Sequence, residues 1–367
     1  MSARARRVML VCERLDIAGG VERFVCETAA DLAAAGMEVA VATVDTPAAA
    51  VRYPLPLAVR VLAADAPADA WRGPRAWQLL RAQWRIGRRL AALIRRERPD
   101  TVVLNGLTTA CSVLLFGRDL APHAICCDHN HFFARSLPWQ WLRALLYPRV
   151  AAVVSLTQAD AARFAALNPR TEVIYNASAL RADEPALPSD AIVLAVGRHV
   201  AQKGLDRLLD AWPAVRAAVP AARLRIVGDG PLQPALLAQA QRLGIAEGVA
   251  WIAPTPAIEA EYRAATVFVL PSRYEGMPLA LLEAQALGVP SVAFDCRTGP
   301  AEILGADTRL LVAQDDVAAL SLAIVELLQQ RPLRERFAHA AMVRSRERFS
   351  LDEHRKRWRS VVARVAP

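Results

Sequence analysis

Short continuous apolar runs alternate with stretches of helical periodicity along the whole chain. Segments 8–12, 39–43, 102–104, 124–127 and 150–156 read as strands, and a second series follows at 192–196, 224–227, 249–252, 267–270 and 291–294. Runs this uniformly apolar suit strands covered on both faces, so the pattern predicts parallel sheets flanked by helices. A polar, proline-containing stretch at 171–190 separates the two series. The expected architecture is α/β, with two Rossmann-like doubly wound domains at 1–180 and 181–350 and a last helix at 351–367 after a break near Phe349 and Ser350. Ligands of such sheets bind beyond the C-terminal ends of the strands, which for two facing domains predicts a site in the cleft between them.

One helical segment breaks the usual inside–outside division. On a wheel for 77–98, Leu79, Ile86, Leu90 and Leu93 form one face, while Trp77, Leu80 and Trp84 fall on the other among Arg81, Arg88 and Arg95. Exposed tryptophans among arginines suit a helix lying on an anionic membrane surface. A second stretch at 138–147 carries Trp139 and Trp141 with Arg143. Packing against another element or subunit is the alternative for both.

Composition narrows the class. The 367 residues are 54% hydrophobic, enough for two substantial cores. No window of eighteen uninterrupted apolar residues occurs, so no spanning helix is expected. The basic, then apolar opening reads as a first strand and not as a signal peptide. Six scattered cysteines without a CxxC pattern argue against a zinc site or a disulfide framework and for a reducing cytoplasm. Net charge is +9, mostly from arginine in the first half; Lys203 and Lys356 are the only lysines. Such a balance admits an anionic partner, a membrane surface or a diphosphate.

Candidate chemistry gathers at strand ends. After the strand at 267–270 comes a turn with Glu275, Gly276, Met277 and Pro278, then a helical pattern from Leu279 that carries Glu283. Pro278 suits the first helical position. A helix N-terminus offers unpaired amides and partial positive charge to a phosphate, and a carboxylate can accept from vicinal hydroxyls. Phosphate and polyol side by side suggest a nucleotide sugar, although two solvated glutamates on a strand–helix unit would give the same pattern. The strand at 192–196 runs into Gly197, Arg198, His199 and, five residues past the arginine, Lys203. Two cations on one loop can clamp a diphosphate and stabilise it as it leaves; His199 reads as structural. Gly228, Asp229, Gly230 and Pro231 read as a tight turn. In the first half, Gly19 and Gly20 open an amphipathic helix without a G-x-G-x-x-G fingerprint, which disfavours a dinucleotide enzyme. The strand at 124–127 ends in Asp128, His129, Asn130 and His131, with no third ligand at metal spacing.

The Glu275-x7-Glu283 segment resembles the signature of retaining GT-B glycosyltransferases, especially glycosyltransferase family 4 (glycosyl transferases group 1). The likeness extends through 288–304 and, more weakly, to the whole chain. Met277 stands where the family often has an aromatic, and 251–254 lacks a usual glycine. The resemblance implies a GT-B fold whose C-terminal helix crosses back to the first domain. It implies a hexosyltransferase that moves a sugar with retention from a nucleoside-diphosphate donor, UDP favoured, to a glycan or lipid-linked acceptor in bacterial cell-surface polysaccharide or lipopolysaccharide synthesis. Glu275 and His129 would act on the sugar. Gly19, Gly20, Arg198, Lys203, Gly276, Met277, Pro278, Leu279 and Glu283 would bind the donor, with Asn130 and His131 on the acceptor side. No cofactor, metal or nucleic-acid partner is expected, and the protein would sit peripherally on the cytoplasmic face of the inner membrane. A sugar-nucleotide epimerase on the same fold, or a catalytically silent partner of a glycan assembly complex, is the alternative.

Overall fold

The structure is a computed structural model that describes residues 4–65, 76–305 and 309–365, with the backbone alone for 76–80. By internal packing the chain divides into two units, Met1–Tyr175 with Asp352–Pro367, and Asn176–Leu351. The division falls inside the polar stretch at 171–190, a few residues before the boundary at 180 that the sequence pattern uses.

The first unit is built on β1 (Arg7–Val11), β2 (Glu38–Thr43), β3 (Arg60–Ala63), β4 (Thr101–Asn105), β5 (Ala124–Cys127), β6 (Ala152–Ser155) and β7 (Thr171–Val173). Its helices are α1 (Gly20–Ala34), α2 (Ala76–Glu97), α3 (Leu107–Phe116), α4 (Leu137–Leu146) and α5 (Gln158–Leu167). The strands pair in parallel in the order β3-β2-β1-β4-β5-β6-β7, so the order reverses between β1 and β4. Met9 and Val11 join Ile86 and Leu90 of α2 and Val113 and Leu114 of α3 in one core. Thr157 caps α5 by accepting from the Asp160 amide.

The second unit contains β8 (Ile192–Val196), β9 (Arg223–Val227), β10 (Val249–Ile252), β11 (Val267–Leu270), β12 (Ser291–Phe294) and β13 (Leu311–Val312). Around them lie α6 (Leu205–Ala218), α7 (Gln233–Arg242), α8 (Ile258–Ala264), α9 (Leu279–Ala286), α10 (Pro300–Leu304), α11 (Val317–Gln329) and α12 (Arg331–Arg348). This sheet is also parallel, in the order β10-β9-β8-β11-β12-β13, and reverses between β8 and β11. α13 (Leu351–Arg364) belongs to the first unit from Asp352 onward. Its Trp358 stands edge-on to Phe24 of α1 at 5.3 Å, and Val362 O accepts from Arg6 Nη1.

The strand readings of the sequence pattern correspond to strands of the structure, but β3, β7 and β13 escape it. They are short edge strands, and β3 and β7 are half-buried to exposed, which weakens the apolar signal that marks the central strands. β7 falls inside the stretch read as a linker.

The helix read as amphipathic is α2, with Ile86, Leu90 and Leu93 buried as the wheel requires. Trp84 is 49% exposed, edge-on to Phe116, with Arg88 over its ring at 4.5 Å. Arg95 instead makes a bidentate pair with Asp119. The side chains of Trp77, Leu79 and Leu80 lie outside the described residues. The two tryptophans of α4 divide: Trp139 packs on the core, while Trp141 is 76% exposed.

Candidate active site

In the second unit the point of strand-order reversal gathers the loops that leave β8 and β11, where ligands of doubly wound sheets bind. Gly204 follows the short helical turn that carries Lys203, at φ 61°. A Cβ there would stand 2.0 Å from the Pro271 carbonyl oxygen, so only glycine permits this approach of the two loops. Cross-links reinforce it. Arg273 N donates to Gln202 O at 2.8 Å, its guanidinium pairs with both Asp206 oxygens, and Gln202 Nε2 donates to Tyr274 O at 3.1 Å.

This stitching brings Lys203 to Glu275, Nζ to Oε1 at 2.6 Å, and Ser272 Oγ donates to the same oxygen at 2.7 Å. Thr298 Oγ1 holds the Glu275 backbone carbonyl at 2.7 Å. Glu275 and Glu283 are each only 4% exposed, which removes the solvated-glutamate reading of the pair. A buried carboxylate needs partners, and each has its own. Glu283 Oε2 accepts from Tyr262 Oη at 2.8 Å, where Tyr262 is fully buried on α8.

Arg198 is exposed at the head of the β8 loop. His199 beside it is buried and edge-on to Trp251 at 5.6 Å, and burial lowers its pKa. The Gly228–Pro231 turn packs under this loop: His199 N donates to Asp229 O at 2.5 Å, and a Cβ on Gly228, at φ 144°, would lie 2.1 Å from Gly197 O. Asp229 thus supports the loop through its backbone.

Gly276, Met277 and Pro278 are buried and lead into α9 at Leu279. Pro278 is the residue before the helix, at φ −70° and ψ 112°, one position earlier than expected. Its carbonyl accepts from Leu281 N and Leu282 N at 3.2 Å each. The amides of Leu279 and Ala280, in the first turn of α9, have no acceptor within the helix. Asn176 Nδ2 fixes the Met277 carbonyl at 3.0 Å.

In the first unit a second group forms at the other reversal point. Gly19 is the extended residue before α1 and its carbonyl accepts from Arg23 N; Gly20 opens the helix. One turn on, Phe24 packs on the His129 imidazole, ring centroids 4.7 Å apart. His129 Nε2 lies 2.9 Å from Asn105 Oδ1, at the end of β4. Burial pushes the His129 pKa down to about 3, so the ring is neutral. Asn130 Oδ1 accepts from His131 N, and His131 Nδ1 accepts from Phe133 N, which makes a compact turn.

That turn is anchored from below. Asp128 accepts from Tyr147 Oη at 2.7 Å and from Arg143 Nη1 at 3.2 Å, and Arg143 Nη2 donates to Phe132 O at 2.7 Å. Arg143 is 1% exposed and its guanidinium lies 3.5 Å over the Phe132 ring. The α4 segment carrying Trp139 and Trp141 therefore also carries the loop's buried clamp, which the sequence reading missed. It missed Asn105 and Tyr262 as well; Asn105 alone had a visible signal, a polar residue closing an apolar strand just before a glycine.

Among the described residues no group of three His, Cys, Asp or Glu side chains could hold a metal ion. All six cysteines are free and buried, and burial raises their thiol pKa values, to about 12 for Cys26 and Cys296, so none is poised as a nucleophile.

Two parallel doubly wound units with a returning C-terminal helix, and polar groups gathered at both reversal points, define a GT-B glycosyltransferase fold. Sucrose-phosphate synthase from Thermosynechococcus elongatus shares it at a TM-score of 0.83 and 19% identity, over 98% of this chain and 99% of that one. Anabaena HepE, solved with UDP and glucose, shares it at 0.77 and 16%, over 98% and 99%. Residues 18–178 match Glycosyltransferase Family 4, and residues 190–330 match the family described as glycosyl transferases group 1. The amylovoran biosynthesis glycosyltransferase AmsD of Erwinia amylovora is 31% identical over 73% of this chain and 79% of its own. A GDP-mannose-dependent phosphatidylinositol monomannoside mannosyltransferase of Mycolicibacterium smegmatis is 36% identical over 48% of this chain, and the match spans 46% of that relative. The chain belongs to the family 4, group 1 glycosyltransferases and is a hexosyltransferase. Its relatives serve polysaccharide, lipopolysaccharide and glycolipid synthesis.

Proposed function

We propose that this protein transfers a hexose with retention of configuration from a UDP-sugar to a glycan or lipid-linked acceptor, without a metal ion. The observation that carries the reading is the Lys203–Glu275 ion pair, which joins a half-buried cation from the β8 loop to a buried carboxylate from the β11 loop. Arg198, Lys203 and the amides at the start of α9 bind the diphosphate and offset its growing charge as it leaves. Gly19 and Gly20 let the α1 backbone come close to the donor. Glu275 accepts from hydroxyls of the transferred sugar, and Glu283 from the ribose. His129, neutral, binds the sugar as a hydrogen-bond partner, with Asn130 and His131 toward the acceptor. UDP in the HepE neighbour supports the base, although the mycobacterial relative is GDP-mannose-dependent.

In the same reading the enzyme works at the inner face of a membrane. Exposed Trp84 with Arg88 on α2, and exposed Leu137, Trp141 and Leu145 at successive turns of α4, offer apolar side chains to an anionic bilayer. No described helix is long and apolar enough to cross one. Thermal-shift measurements with UDP, GDP and ADP test the donor. UDP should raise the melting temperature most, by mass action; a larger shift with GDP overturns the base, and no shift with any of the three overturns the nucleotide-sugar reading.

A further inference from the structure

Asn105 stands where the first sheet reverses its order, only 2% exposed and joined to both strands that flank the reversal. Its Nδ2 donates to the Val11 carbonyl at the end of β1, at 3.1 Å, and to the Val103 carbonyl of its own strand, at 3.4 Å. Carbonyl oxygens can only accept, so the amide nitrogen must face them and the amide oxygen must face His129. An amide oxygen can only accept in turn. The His129 nitrogen 2.9 Å away, Nε2, therefore carries the proton. Phe24 covers the ring from α1, and no described protein group pairs with Nδ1.

From this chain of donors and acceptors we infer that Asn105 is a positioning residue that locks His129 in the Nε2–H tautomer and so presents Nδ1 as a hydrogen-bond acceptor. The consequence for recognition is specific. Nδ1 can accept a proton from a hydroxyl but cannot donate to one, so His129 selects a sugar or acceptor hydroxyl that points its O–H at the ring. It cannot serve as a proton donor to a leaving oxygen. Loss of solvation keeps the ring neutral, so this acceptor persists across the working pH range.

The tautomer is directly measurable and does not depend on activity. In the ¹⁵N-labelled whole protein, two-bond ring correlations, assigned by their loss in His129→Gln, should show a protonated Nε2 and an unprotonated Nδ1. Asn105→Asp keeps an acceptor toward Nε2 and should keep this tautomer, although it loses the bonds to Val11 and Val103. Asn105→Ala removes the acceptor and should give mixed tautomers. A role confined to bracing β1 and β4 predicts instead that both variants behave alike. Should Asn105→Ala fail to fold, the wild-type spectrum decides: protonation at Nδ1 overturns the inference, as does an unchanged tautomer in a folded Asn105→Ala. The kinetic arm rests on the proposed sugar contact of His129. Turnover should fall about tenfold in Asn105→Ala, the worth of one hydrogen bond, with UDP affinity unchanged. Unchanged turnover in both Asn105→Ala and His129→Ala overturns the sugar contact and leaves the tautomer lock standing.

Discussion

Lys203 and Glu275 lie 72 positions apart in sequence and meet at 2.6 Å, Nζ against Oε1, in a contact that also takes in the Ser272 hydroxyl. Removing Lys203 leaves the buried Glu275 carboxylate with the Ser272 hydroxyl but no cation, and removing Glu275 leaves a half-buried ammonium without its ion partner, so both are sensitive positions. Their variants should nonetheless differ. Lys203→Ala should weaken UDP far more than uridine and lower turnover about a hundredfold, the scale for losing one preorganised charge. Glu275→Gln should lower turnover by a comparable or larger factor while UDP still binds. Calorimetry with UDP and uridine, read beside kcat, checks this; equal loss of nucleoside and nucleotide affinity in Lys203→Ala refutes the phosphate role.

Glu283 is held by Tyr262 Oη and not by Lys203. Glu283→Gln should therefore weaken nucleotide binding by about 1–3 kcal/mol with a smaller effect on kcat. Tyr262→Phe should do the same in part, and the double variant should fall short of the sum of the two, since they share one hydrogen bond. Strict additivity would separate Tyr262 from the role of Glu283.

Divalent ions provide an independent check. Saturating EDTA should leave most transferase activity in place. Complete loss, restored by manganese, would mean that a metal supplies the charge assigned to Arg198, Lys203 and the α9 amides.

Acid should destabilise the first unit through its histidines. The folded-state pKa of His129 lies near 3, and that of His354 is also lowered by burial, against an ordinary value of about 6.5. As pH falls below 6.5 the unfolded chain takes up protons that the folded chain refuses, so stability drops until the folded value is reached. Above pH 7 both forms are neutral and the contribution vanishes. Asp128, raised by burial, works in the opposite sense, so the informative quantity is a difference. Between pH 7.5 and 5, His129→Gln should lose less urea stability than the parent; an equal loss refutes the assignment to His129.

Membrane binding makes the riskiest demand. The protein should sediment with vesicles of anionic lipid and be largely released by salt, which screens exposed charge beyond about 8 Å at physiological ionic strength. Trp84→Ser and Trp141→Ser together should weaken sedimentation with little loss of stability, because Trp141 is largely exposed and Trp84 about half exposed. A large drop in melting temperature, or retention at high salt, would count against docking through these faces.

The central strands and the motif loops were legible because parallel strands must be apolar on both faces, and because charged residues at their ends have few structural reasons to be there. Edge strands were not, since β7 reads Thr-Glu-Val and looks like the loop around it. Glu275 and Glu283 could be found by spacing, but their burial could not, because it depends on Ser272, Lys203 and Tyr262 arriving from other elements. Arg143 shows the limit most clearly. Its neighbours Trp139 and Trp141 drew the eye to a surface, while the arginine turned inward to a partner fifteen positions earlier.

The return of α13 to the first unit sets an order of assembly. Asn176–Leu351 is one uninterrupted stretch, whereas the first unit needs Trp358, Val361 and Val362 to complete its interior. A ribosome therefore delivers everything the second unit requires before it delivers the segment that closes the first. The half of the protein synthesised first is the last that can finish folding, and until then Phe24, beside His129, lacks the Trp358 side chain that covers it.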